Sequence, residues 1–505
     1  MLPSSRRRFA AVATLLCCLS VMTPAAAVAP TGTAENGATA PNAATAPGVH
    51  PESSPATLQN ATGPCTGVIK SPANGMTVVS VQGYKFGKNG GKRPAKLVGV
   101  GPRGNVEWVH HSAAKYDVVW GYDVDPMANG NVFVTATVKG HKTVVYELNP
   151  RTQERVWSKM FDVADTHDAD LINNGTAIAV ANMRNYHPSN QTNDDRVFVY
   201  NRTTQNITWQ WRFDDHYDPK NLEENYTHDW THLNDVDKVG EDRFLLSPRN
   251  FDQAIVVDRS SNEIVMKLGE DGKKNILNQQ HNPDFLRSEN GTPTILVADS
   301  ENGRIVEYAN PDGVSASEAS GGSSDESDGD LKNGQGWNPV WTLKGDLKWP
   351  RDADRLPNGN TLVSDSSHNR VVEVTPKGDI VWEFYAPWLV YDAARVTDPN
   401  ESGGPTMRDI NASGTYKVGS GAGLHKNDSK LSACHAALQN ASGRVGDQGL
   451  TTNETDEGAM QDAGSETTDA SDTTAHGDPG ASVPGFGVPA ALAALVAAAL
   501  LARRD

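Results

Sequence analysis

At 505 residues the chain is too long for one ordinary hydrophobic core, and its length suits a repeat architecture with tails. Its 62 acidic and 45 basic residues leave a net charge of −17, which argues against nucleic acid as a partner, because phosphate binding needs basic patches. A diffuse acidic surface favours solubility and is also a common adaptation to salt-rich habitats.

The N-terminus reads as an export signal over residues 1–29. Arg6, Arg7 and Arg8 precede the apolar stretch from Phe9 to Val21, and Ala27-Val28-Ala29 offers a small-residue cleavage site. The run from Ser5 to Phe9 resembles the twin-arginine signal, with an ordinary secretory signal as the alternative. Residues 30–64 form a low-complexity linker. Cys17 and Cys18 leave with the signal, so Cys65 and Cys434 are the mature cysteines. The sequence leaves open whether they pair or stay as thiols. No C-x-x-C motif is present, so no cysteine metal or redox site is expected.

From Cys65 onward one pattern recurs six times. The clearest copy runs from Asp352 to Ser364, then Arg370–Val374, then Asp379–Phe384. It reads as strand, turn, strand, loop, strand, turn, strand. Copies begin at Asp123, Asp168, Asn234 and His281, and a less complete first copy runs from Asn74 to Trp108. Asn-Gly pairs suit the φ > 0 turns joining antiparallel strands. Short Val- and Ile-rich runs suit half-buried strands. Trp108, Trp157, Trp209, Trp341 and Trp382 recur at one place, with Met266 in the remaining copy; there they would fill the wedge between neighbouring sheets. The expected fold is therefore all-β, a six-bladed β-propeller over residues 65–432 with disordered N- and C-terminal tails. Residues 315–336 are Ser-, Gly- and Asp-rich and read as a disordered loop between the third and fourth strands of the fifth copy.

After the repeats, residues 433–482 read as an acidic Thr-, Ser-, Gly- and Asp-rich linker. Residues 483–505 carry Pro484-Gly485-Phe486, an apolar stretch from Val488 to Ala502, and Arg503-Arg504. That order resembles the sorting signal of archaeal surface proteins, whose tail is replaced by a lipid; a retained weak membrane anchor is the alternative. Sequons at Asn60, Asn174, Asn190, Asn201, Asn206, Asn225, Asn290 and Asn411 suit an exported glycoprotein. The expected location is the cell surface, anchored at the C-terminus, and the expected source a halophilic archaeon.

The first strand of each propeller blade lines the axis, so equivalent residues of different copies converge there. Aligning the copies on their D-x-D turn puts Tyr122, His167, Asn234, His281 and Arg351 at one position. His232 lies two residues before Asn234, and Arg249 ends the second strand of that copy. Guanidinium forks prefer carboxylate, phosphate or sulfate. Neutral imidazole is a nucleophile, and a second imidazole can protonate a leaving group. These groups suit transfer of a sulfuryl group, whose transition state spreads negative charge over oxygens. A metal at His228, Asp229 and His232 is not expected, because in an extended chain i and i+4 side chains stand over ~12 Å apart. His110, His111, His187 and His216 are read as loop or surface residues.

The segments from His228 to Asp237, Ser247 to Asn250, His167 to Asp170 and Gln280 to Pro283 resemble the arylsulfotransferase family over roughly residues 74–390, most closely its archaeal branch. The resemblance implies a six-bladed propeller. It also implies PAPS-independent transfer of sulfate from a phenolic sulfate ester to a second phenol through a sulfohistidine. Carried over by motif, His281 is the implied nucleophile, and His232 and His167 complete the catalytic set. Asn234, Arg249 and Arg351 are the implied substrate-binding residues. No cofactor or metal is expected. Two features depart from the bacterial enzymes: no cysteine lies between Cys65 and Cys434, and the large N-terminal β-domain is missing. A non-enzymatic surface propeller binding glycan or protein is the alternative.

Overall fold

The computed structural model describes residues 63–444, apart from 86–90, 93–94, 113–117, 224, 312–335, 399, 420, 440 and 442. The signal segment, most of the first linker, the loop through residue 335, the acidic tail after residue 444 and the sorting signal lie outside the described residues.

Six sheets, antiparallel except where Gly414–Lys417 pairs in parallel with Asn338–Lys344, form the blades of a β-propeller. Blade 2 contains Val118–Pro126, Val132–Val138, Lys142–Leu148 and Arg155–Phe161. Blade 3 contains Ala169–Ile172, Ala177–Asn182, Arg196–Asn201 and Asn206–Arg212. Blade 4 contains Leu233–Lys238, Arg243–Pro248, Gln253–Asp258 and Glu263–Gly269. Blade 5 contains His281–Arg287, Pro293–Asp299, Arg304–Ala309 and Asn338–Lys344. Its third and fourth strands pair from Arg304↔Lys344 to Ala309↔Asn338, so the insertion between them leaves the blade whole. Blade 6 contains Pro350–Arg355, Thr361–Asp365, Arg370–Val374 and Ile380–Tyr385.

The incomplete first copy has a simple cause. Blade 1 takes Thr77–Val81, Lys96–Val100 and Val106–His111 from the N-terminal end of the repeats. Its inner strand, Val390–Arg395, comes from the far end and pairs Thr77 with Arg395. In exchange, Thr66–Ile69 adds an outer strand to blade 6, with Thr66 opposite Phe384. The two chain ends thus close the ring twice. A disulfide joins Cys65 to Cys434 beside this closure.

Turn chemistry repeats at atomic detail. In blade 2 the Gly130 N–H donates to Met127 O at 2.8 Å, and Asn129 and Asn131 both donate to Glu147. In blade 6 the Gly359 N–H donates to Leu356 O at 2.9 Å, and Asn358 and Asn360 both donate to Glu373. Gly130 at φ 79° and Gly359 at φ 82° occupy the left-handed region, where a Cβ is disfavoured.

Each of the six apolar clusters lies between two neighbouring blades. Indole N–H groups staple the same seams. Trp382 donates to Pro102 O at 3.1 Å and Trp341 to Pro376 O at 2.8 Å. In blade 3 this role falls to Trp211, which donates to Asn262 O, while Trp209 is half-buried and stacks on Phe244 of blade 4. Trp157 is likewise only half-buried.

Two expectations change. The segment read as linker from residue 433 opens within an α-helix, Asp428–Gln439, which buries Cys434 and Leu438. Gly443–Arg444 then pairs with the outer strand of blade 1. His110 is buried in blade 1, with its Nε2 3.2 Å from the Arg155 guanidinium, and is not a surface residue. His216 is half-buried, stacked on Trp211.

Candidate active site

Consecutive residues of an ideal strand face opposite ways. The inner strands of blades 2, 4, 5 and 6 break that rule with a register shift at their axial ends, as between His281 and Asp284 and between Pro350 and Asp352. Such a bulge re-aims side chains, so a functional residue and the acid that follows it both reach the axis. The entering backbone is also bent: His232 (φ 44°) and Trp349 (φ 55°) hold left-handed conformations. These cost about 1–3 kcal/mol where the surroundings enforce them.

His167, Asn234, His281 and Arg351 each precede the first acid or amide of the D-x-D position and are all buried. Tyr122 lies in the corresponding strand of blade 2. Tyr391, immediately before Asp392, supplies this position in blade 1 and is fully buried. Its ring centroid lies 5.7 Å from His167 and 6.3 Å from His281. The Arg351 guanidinium sits 5.2 Å from the same ring and 3.8 Å from the Trp349 ring, and donates to Gln82 Oε1 at 2.6 Å. His167 and His232 meet edge to face with centroids 4.9 Å apart. A continuous set therefore runs from His232 through His167 and Tyr391 to His281 and Arg351.

His232 does not lie in the strand; it precedes Leu233–Lys238 at the end of a turn. Its Nδ1 is 2.7 Å from Asp229 Oδ1. Asp229 also pairs with Arg184, and its Oδ2 lies 3.8 Å from Arg249 Nη2. Arg249 opens a short 3-10 turn after Pro248, where Asn250 Oδ1 accepts from its Nε and Nη2. Arg184 makes a second pair with Asp165, whose carboxylate lies 3.9 Å from His167 Nε2. His228 is exposed, and Asp229 is engaged by His232 and two guanidiniums.

Second partners fix the tautomer of His281. Its Nδ1 is 2.8 Å from Ser300 Oγ and 3.2 Å from Gln279 O. A carbonyl only accepts, so Nδ1 carries the proton and Nε2 carries the lone pair. Asn234 was expected to hold a substrate oxygen. Its Nδ2 donates one hydrogen to Gln280 O at 3.0 Å, which positions the peptide that carries His281.

Burial, reinforced by the Arg249 charge, holds His232 below the ordinary histidine range, and Asp229 partly offsets this. Burial also holds His167 well below that range, against the pull of Asp165. Burial works to raise Asp229, but His232, Arg184 and Arg249 together bring it down to about 2. Burial first, then nearby carboxylates, push the Tyr391 phenol well above its usual value, so it stays protonated at neutral pH. The assembly offers neutral imidazoles, a phenol donor and three buried or nearly buried guanidiniums, a set suited to an anion and to proton transfer.

The sequence reading missed Tyr391, Trp349, Ser300, Arg184 and the structural role of Asp229. Tyr391-Asp392 repeats the Tyr122-Asp123 pair of blade 2, so a signal was present in a segment not recognised as a blade strand.

Residues 73–322 match the family model of the arylsulfotransferases (ASST). No curated protein matches. Solved structures that match include a protein of unknown function from Bacteroides caccae, at 11% identity, 69% of this chain, 98% of that chain and TM-score 0.39. A streptogramin B lyase matches at 11% identity over 54% of this chain and 71% of its own, with TM-score 0.33. The β-propeller domain of Cps50 (Swd1) from Myceliophteria thermophila matches at 10% identity over 67% of this chain and 92% of its own, with TM-score 0.34.

Proposed function

We propose that the chain transfers a sulfuryl group from a phenolic sulfate ester to a second phenol, without a nucleotide donor and through a sulfohistidine on His281. The family match over residues 73–322 supports arylsulfotransferase activity in general. The observation that carries the finer reading is the fixed tautomer of His281, with Nδ1–H held by Gln279 O and Ser300 Oγ.

In the first half-reaction His281 Nε2 attacks sulfur and the bond from sulfur to the aryl oxygen breaks. The departing phenolate, conjugate base of an acid with pKa about 10, takes a proton from His232 or His167. Burial holds both imidazoles below the ordinary histidine range, which favours their neutral forms. An entering sulfate ester adds negative charge beside them, which favours the imidazolium form, so donor binding takes up a proton. In the second half-reaction the same imidazole removes the acceptor's proton, the phenolate oxygen attacks sulfur, and the bond between nitrogen and sulfur breaks. Arg249 and Arg351 stabilise the charge on the transferring oxygens. Asn234 positions His281 through the Gln280 carbonyl.

We place this reaction at the cell surface. The exposed sequon residues Asn174, Asn190, Asn206, Asn225, Asn290 and Asn411 suit an exported chain, as do the N- and C-terminal segments. Incubation with a chromogenic aryl sulfate, with and without added phenol, tests the function. The reading requires release of the chromophore that accelerates with acceptor and is lost in His281→Ala. Unchanged release by that variant contradicts it.

A further inference from the structure

On the propeller axis lies a second, chemically different site. A small cavity of about 10 Å³ is lined only by acidic residues and one amide, Asn282. Some of these acids are engaged with the protein. Asp168 accepts the Val236 N–H of the next blade, Asp284 accepts the Ser402 hydroxyl at 2.7 Å, and Asp352 accepts Ser364 at 3.3 Å. Asp123, Asp125 and Glu401 present carboxylate oxygens that lie within 4.8 Å of one another.

Asn282 is the independent clue. It takes the place in blade 5 that Asp123, Asp168, Asp235 and Asp352 take in theirs. The residue is 8% exposed, and its Oδ1 has no hydrogen-bond partner among the described residues. An orphaned buried acceptor costs about 1–3 kcal/mol. A carbonyl facing a wall of carboxylates makes sense when something positive stands between them.

We propose that Asp123, Asp125, Glu401 and the Asn282 side-chain carbonyl bind a calcium ion on the axis. The donor set is all oxygen and mixes carboxylates with an amide carbonyl, which is a pattern calcium takes. Zinc and copper draw on imidazole or thiolate, and neither lines the cavity. The ion ties blade 2 to blade 5 across the axis. It also removes negative potential next to the histidine position, where an anion would otherwise be repelled. The inference does not depend on sulfuryl transfer.

The test uses the full mature chain, stripped with a chelator and dialysed against calcium, magnesium or zinc in separate arms. Metal content and thermal midpoint are then measured. The proposal requires one calcium per chain, a midpoint raised by adding calcium back, and weakening of calcium binding by about tenfold or more in Glu401→Gln and Asn282→Ala. Circular dichroism of both variants at saturating calcium identifies folded material for the comparison. Folded wild type that holds no calcium overturns the proposal. So does wild-type calcium affinity in both variants, which puts the ion elsewhere. Zinc retained in place of calcium also overturns it and points to the cluster of Asp346, His368 and His425.

Discussion

His281 illustrates how little of a site is the reacting atom. Its lone pair is placed on Nε2 by two acceptors on the other side of the ring, Gln279 O and Ser300 Oγ. Ser300→Ala removes one of them, and we expect kcat to fall about tenfold with KM nearly unchanged, the size of effect seen for outer-shell partners. Measuring kcat and KM separately distinguishes this from a loss of substrate binding. Asp229 is the hub of the other half of the site, and Asp229→Asn leaves Arg184, Arg249 and His232 without their common counter-charge. We expect a loss of about 3 kcal/mol in denaturant unfolding. Linkage adds a pH signature. His167 and His232 are held below the ordinary value in the folded chain, so as pH falls below about 6.5 the unfolded chain takes up protons that the folded chain refuses. Stability contributed by their neutral forms is therefore lost on acidification, and His167→Gln should flatten the stability slope between about pH 6.5 and 5. A slope as steep as that of wild type contradicts the assignment. At this scale the histidines and arginines were legible because they share one position in the repeat. Ser300 and Asp229 were not, because what they do depends on three-dimensional neighbours rather than on spacing.

Strands, turns and bulges decide which side chains reach the axis. The Asn-Gly turns around Gly130 and Gly359 were readable because their chemistry is local. The bulges at the axial ends of the inner strands were not, since a period-two reading sends Asn282 or Asp352 away from the axis. The helix Asp428–Gln439 escaped for a related reason: only Cys434 and Leu438 are buried, too few to set a 3.6-residue apolar period. The tryptophan staples give a prediction at this scale. Trp382→Phe keeps most of the apolar volume between blades 6 and 1 but removes the N–H donated to Pro102 O. We expect a loss of about 1–3 kcal/mol in stability from the lost hydrogen bond and the smaller ring, measured by urea unfolding.

Closure of the ring governs the whole molecule. Blade 1 is complete only when Val390–Arg395 returns to Thr77–Val81, and blade 6 gains Thr66–Ile69 at its edge. Six copies were visible in the sequence, but this exchange was not, because nothing local in residues 390–395 says which sheet they join. The disulfide between Cys65 and Cys434 spans 369 residues and restrains both closing ends. Reducing it, or substituting Cys65→Ala, should lower stability by about 3–5 kcal/mol on the chain-entropy argument, seen as a lower thermal midpoint under reducing conditions. Whether sulfate rides on His281 is decided by a single-turnover experiment. The folded protein is mixed with a radiolabelled aryl sulfate, the label is mapped by peptide, and a phenol acceptor is added. Label on His281 that the phenol discharges, and its absence in a folded His281→Ala variant, is the predicted result. Label on another residue, or transfer by His281→Ala at the wild-type rate, contradicts the account.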